Sequence, residues 1–293
     1  MKKKLTIWFI FIACSFLFLF LFGKGTGIGE QPVIKYFPLE TDVYYKKAST
    51  DLQVNEQTDE DEYEIDWGVS SELDKPAYLR QDISLLYADG ILIGMIGKWK
   101  QDTALLSQRT TIHGEDHNHY SSISYHHSEI HYPDDQIKSI QLMSKDELYV
   151  IDSPMSPLES FKKPETNQEQ EWKETLDHAT SQQLEVYWEK WMNYFQIPKE
   201  NYHLIPLTSL PEYNQKPLPG LSMDDSQRVI GQLWEGLYRE YFLRAKMEKS
   251  PKRSVLKKPI PLILLQKNSK QLLVLFEDRS GRIEKLIQFI DPI

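Results

Sequence analysis

Cysteine is almost missing from this chain. The only one, Cys14, sits inside an apolar run, so the roughly 280 residues after it carry no thiol. That excludes an internal disulfide and a thiolate nucleophile in this part of the chain. Small secreted domains often rely on disulfides, whereas this one must hold together by its core and is long enough to do so. The standard catalytic signatures are absent too. There is no Gly-x-Ser-x-Gly elbow, no phosphate loop ending in Gly-Lys-Ser/Thr and no Cys-His pairing. Basic charge is in deficit. With Lys2, Lys3 and Lys4 set aside, 31 basic residues face 43 acidic ones, a balance of about −12. Nucleic acid and anionic lipid head groups would repel such a surface.

Long apolar runs are confined to one place. After Met1-Lys2-Lys3-Lys4, residues 5–22 (LTIWFIFIACSFLFLFLF) hold no charge and only Thr6 and Ser15 as mild polar interruptions. Eighteen residues come close to the roughly 20 that a membrane-spanning helix needs. A cleaved signal peptide would have a shorter apolar centre and a small-residue cleavage site, and no Ala-x-Ala follows here. The run predicts an uncleaved signal anchor over 5–23. The flanking lysines keep residues 1–4 in the cytoplasm and put 24–293 outside, as a single-pass protein of a bacterial cell envelope. Phe11-Ile12-Ala13-Cys14 loosely resembles a lipobox. Phe11 stands where Leu is usual, and the apolar run continues beyond Cys14, so a small residue packed in the membrane helix is the better reading.

Residues 24–75 read as an acidic, flexible juxtamembrane linker. GKGTGIGE (23–30) alternates glycine with other residues, and Asp59-Glu60-Asp61-Glu62, with Glu64 and Asp66, is a self-repelling run. It lacks the ligand spacing and central glycine of a calcium loop.

An extracytoplasmic α+β domain is expected over 76–293. Strand-like runs over 82–152 are separated by turn signals, beginning with Asp89-Gly90, and predict an antiparallel β-meander. A helix follows over 168–195, with Trp172, Leu176, Ala179, Gln183, Tyr187, Trp191 and Tyr194 on one face. Ser222, with Asp225 three residues on, caps a second helix over 222–248. Three more strands form a C-terminal meander over 260–290. Antiparallel meanders packed by two long helices fit an α+β fold. The shape resembles many small extracytoplasmic sensor and cystatin-like domains, a likeness of architecture alone.

Six of the eight histidines fall between His113 and His131. On a strand, His127, Glu129 and His131 share a face at about 7 Å spacing, and imidazole with carboxylate suits zinc or another transition metal. His117 and His119 are second-choice ligands. No helical His-Glu-x-x-His pattern is present. The leading reading of the stretch is a solvated or network-forming strand, narrowly at the surface, with a metal site and a pH-responsive element as alternatives. Asp177-His178 reads as a helix-surface pair, and the aromatic rows of both helices as core. The sequence therefore points to a membrane-anchored, non-enzymatic protein with no cofactor or catalytic residue. It would act as an envelope-associated binding or accessory protein, touching the bilayer through 5–23 and an envelope protein partner, but no nucleic acid.

Overall fold

The computed structural model describes residues 34–57, 62–153, 156–243, 258–278 and 280–290. The expected anchor at 5–23, the glycine alternation at 23–30 and Asp59-Glu60-Asp61 lie outside them. Among the described residues no helix is long and apolar enough to cross a membrane.

Two antiparallel sheets and two main helices form an α+β architecture. The first sheet is organised by one long strand, β2 (Tyr63–Ala88). Strand β3 (Ile91–Gly114) runs back along its whole length. The turn between them is Asp89-Gly90, with φ of 46° and 78°, the left-handed pair that a type I′ hairpin requires. On the other side, β1 (Tyr45–Gln57) takes residues 63–73 of β2, and β4 (Asn118–His131) takes residues 79–88. Strands β5 (Ile137–Ser153) and β6 (Ser156–Phe161) follow outward from β4.

The register of β2 against β3 jumps between Glu72 and Ala77. Pro76 in this interval has no N–H to donate, and irregularities of this kind bend a sheet. The bend folds β1 back over the inner face of β4 and β5. Thr50 Oγ1 reaches Ser144 Oγ at 2.7 Å, and the Leu52 N–H donates to Asp146 at 2.8 Å. One end of the enclosed space is apolar, filled by Leu52, Tyr63, Ile65, Trp67, Leu86, Tyr120, Leu148 and Val150.

The second sheet is ordered β10–β9–β8–β7, formed from β7 (Tyr202–Pro206), β8 (Leu262–Gln266), β9 (Gln271–Glu277) and β10 (Ile283–Phe289). Helix α1 (Asn167–Tyr194) covers one face, with Trp191 and Met192 on Leu262, Leu264, Leu273 and Leu275. The opposite face, with Ile263, Leu265, Val274 and Phe276, joins α2 (Met223–Leu237) and the outer face of the first sheet in one core. Burial on both faces explains why 262–265 is uninterruptedly apolar.

Several expectations change. The linker expected over 24–75 is not a linker across its described part. Residues 45–57 and 63–75 are strand, and Ile34 and Val43 are buried. The acidic side chains Glu64 and Asp66 occupy the outward positions of β2, while Tyr63, Ile65 and Trp67 point inward. The strands of 82–152 do not form a sequential meander either. After β3 the chain crosses β2, and β4 pairs with β2 instead of β3. β3 exposes Lys98, Lys100, Gln101 and Arg109, which suits an edge, whereas β4 is buried on both faces and needs the centre. The stripe of α1 is also rotated: Thr180 and Leu184 are buried, while Ala179, Gln183 and Tyr194 are exposed. Helix α2 gives way after Leu237 to a π-helical turn, Tyr238–Leu243. Its expected continuation to 248 lies outside the described residues.

Candidate functional site

The histidine stretch is not a surface strand. β4 is central, and residues 120–129 are all buried. Alternation sends its side chains into two different environments.

The even-numbered side chains enter the folded-over interior of the first sheet and meet a polar network in which Arg80 Nε and Asp82 Oδ1 make no hydrogen bond. His126 and Asp82 are fully buried, with Nδ1 at 3.1 Å from Asp82 Oδ2. The other ring nitrogen, Nε2, lies 2.8 Å from Ser144 Oγ. Asp82 accepts from Ser71 Oγ at 2.6 Å, and Ser71 accepts from Arg80 Nη2 at 2.5 Å. Arg80, also fully buried, donates through Nη1 to the Ala104 carbonyl and lies over the Tyr45 ring. Burial pushes the Tyr45 hydroxyl pKa up, and its oxygen lies 2.9 Å from Ser128 Oγ. Thr50 links Ser144 to Ser124, which donates to Ser84 at 2.7 Å. Buried charge survives only where hydrogen bonds and partners compensate. Here five strands supply them, β3 through the Ala104 carbonyl.

Asp82, His126 and Ser144 stand in the order of an acyl-transfer triad. The surroundings do not suit that chemistry. Asp82 and His126 are sealed from solvent. Ser144 sits mid-strand, in register with Ser124, rather than on a sharp turn that would present a nucleophile. The network joins β1, β2, β3, β4 and β5.

The odd-numbered side chains face the helices or the strand's outer end. Tyr125 stacks on Trp234 of α2, with centroids 4.8 Å apart. His127 is fully buried beside Tyr125, and neither ring nitrogen makes a hydrogen bond of ordinary geometry. Burial pushes its pKa down to about 4, opposed by the Lys35 backbone and the Asp82 charge. Glu129 is nearly buried, and burial pushes its pKa up. Its Oε2 lies 3.4 Å from His131 Nε2. His131 is exposed and stacks on Tyr78 at 3.8 Å.

Of the five candidate ligands, the structure brings together only Glu129 and His131. His119 packs on the Tyr149 ring at 4.3 Å, with Nδ1 3.5 Å from Asp177 Oδ1 on α1. Burial lowers its pKa more than the neighbouring carboxylates raise it. His117 accepts from the Asp152 N–H at 2.9 Å. Among the described residues no three His, Cys, Asp or Glu side chains gather as an ion-holding set. The zinc expectation for His127, Glu129 and His131 is corrected accordingly: alternation places them on one face, yet His127 is enclosed in the core. Asp177, read as half of a helix-surface pair, instead joins α1 to His119 and Tyr149 and pairs with Lys173 one turn back on the same helix.

Sequence reasoning missed Arg80, Asp82, Ser71 and Ser144 altogether. One signal was available. Tyr120-Ser121-Ser122-Ile123-Ser124 puts small side chains on both faces of β4, as close packing on each side requires.

The fold and its buried network define an antiparallel α+β protein. No known protein family matches this chain, and no characterised protein matches it in sequence.

Proposed function

We propose that this protein is held at the cell membrane by residues 5–23, keeps 24–293 outside, and works by binding an envelope partner rather than by catalysis. The observation that carries the reading is the use made of its polar chemistry. Arg80, Asp82 and His126 are enclosed and committed to joining strands. What remains at the surface includes strand edges and scattered apolar side chains such as Leu105, Tyr78, Ile287 and Phe289. Such features serve contact with other chains. The lysine cluster and the apolar run support the tether and its orientation.

Two measurements on one strain test this. Membranes are washed with alkaline carbonate, and intact cells are treated with a protease that cannot enter them. Retention in the washed membrane together with digestion of the C-terminal part from outside is expected. Release by carbonate, or protection in intact cells, overturns the location. Partner binding is tested by cross-linking in those cells and identifying what is captured on the exported part. A chain that cross-links to no protein overturns the binding role.

A further inference from the structure

The β10 edge of the second sheet has features that the other described elements do not explain. β10 is terminal in the order β10–β9–β8–β7, and no described residue pairs with its outer side. Its register against β9 fixes which backbone groups are free. Asp278 N–H donates to Arg282 C=O, and Ile290 N–H donates to Lys270 C=O, both at 2.9 Å. These pairs share the register of Ile283 with Glu277 and Phe289 with Gln271. In an antiparallel ladder bonded and non-bonded pairs alternate. Glu284, Leu286 and Gln288 therefore bond inward to β9, and Ile283, Lys285, Ile287 and Phe289 turn their N–H and C=O groups outward.

The same four residues put their side chains on the α1 face, because Leu286 and Gln288 are engaged with α2 on the other. Ile283 packs into the core there, and Lys285 Nζ lies 4.7 Å from the Phe195 ring centre. Ile287 and Phe289 are left 50% and 71% exposed. A long edge strand is usually blunted by proline, a bulge or charge. The half of β10 from Leu286 to Phe289 has none of these.

We infer that this edge pairs with the β10 edge of a second copy of the chain, antiparallel about a twofold axis at Ile287, making one continuous eight-stranded sheet. The register follows from side-chain complementarity. With the axis at Ile287, the two Ile287 side chains meet, and each Lys285 lies opposite Phe289 of the second copy, where an ammonium group and a ring attract. Each outward pair exchanges two backbone hydrogen bonds, about six in all over 285–289. An axis at Lys285 would instead oppose two like charges. A twofold contact of this kind closes on itself and builds no fibre. The inference rests on the geometry of β10 and does not depend on the membrane location proposed above.

The scarcity of cysteine makes the test clean. The full chain carrying Cys14→Ser is given Ile287→Cys, and separately Val186→Cys on α1, where the side chain is 69% exposed. Both are oxidised in unfractionated cell lysates with copper phenanthroline. Bonded antiparallel partners sit about 5.5 Å apart at Cα, within disulfide reach. The Ile287→Cys chain is expected to form a disulfide dimer about tenfold faster or more than the Val186→Cys chain, since pairing concentrates the two thiols locally. Sedimentation of the cysteine-free chain in detergent should show a dimer that Ile287→Lys converts to monomer. Equal oxidation rates, a monomer before substitution, or a disulfide from the Ile287→Cys chain to a different protein each overturn the inference. The last would assign the edge to another partner.

Discussion

His127 shows how one residue can set a pH response without being a site. Burial holds it neutral, with its pKa pushed down to about 4. In the unfolded chain a histidine titrates near 6.5. Between those values the unfolded state binds more protons, so stability falls as the pH falls from about 6.5 toward 4. Above that window the residue has no effect, and below it the loss is complete. A displacement of this size corresponds to about 3 kcal/mol. Glu129 acts in the opposite sense. Its raised pKa means that the folded state holds a proton longer, which adds stability as the pH drops past that value and offsets the lower end of the His127 effect. Replacing His127 with Gln removes a titrating group and keeps a polar side chain between Gln81 and Gln141, its neighbours in register. The expected outcome is a flatter urea midpoint between pH 6.5 and 4 than in the parent chain. Parallel profiles would show that His127 does not carry the acid response.

At the scale of elements, the buried network explains why the bent sheet holds its shape. Arg80 and Asp82 lie on β2, joined through Ser71 from the far side of the bend. His126 brings in β4, Ser144 β5 and Thr50 β1. Removing one charge strands the other, at a cost of about 3–5 kcal/mol. Asp82→Ala should therefore lower stability by that much, read from urea unfolding. Arg80→Met added to Asp82→Ala should recover part of the loss, because no unpaired guanidinium then remains buried. If the two losses simply add, Arg80 and Asp82 are not coupled. How much of this could be read beforehand also varied by element. Helix α1, placed by its period alone, starts one residue earlier, behind a Thr166–Glu169 capping box that sequence reasoning missed. The start of α2 stands where Ser222 and Asp225 put it, and the C-terminal strands lie along their apolar runs. The Asp89-Gly90 turn was equally plain, since only local φ values decide it. β1 and the first half of β2 were hidden. Tyr63, Ile65, Trp67 and Val69 alternate cleanly, but the acidic side chains between them made the segment read as a solvated charge run. The network was hidden for a deeper reason. Ser71 and Asp82, or Thr50 and Ser144, meet only because β2 bends, and no local pattern encodes which distant strands will face each other.

The whole molecule depends on how the two sheets share a core. Ile83, Tyr125 and Met143 from the first sheet, Trp234 and Leu237 from α2, and Ile263, Val274 and Phe276 from the second sheet belong to one buried cluster. Trp234 is its pivot, since it stacks on Tyr125 and its indole N–H points at Met143 Sδ, 3.3 Å away. Neither sheet can leave the other without exposing α2's apolar face, so the two should open together. Amide exchange checks this directly. Deep amides of β4 and β9 should exchange through openings of the same free energy, and Trp234→Ala should lower both by the same amount, about 3–5 kcal/mol for a large aromatic removed from a core. A first sheet held by its own polar network would behave differently: β9 protection would fall while β4 kept its own. Equal loss in the two strands would mean that α2 binds the sheets into one cooperative unit, so that a partner bound at the β10 edge would stabilise the distant Arg80–Asp82–His126 network as well.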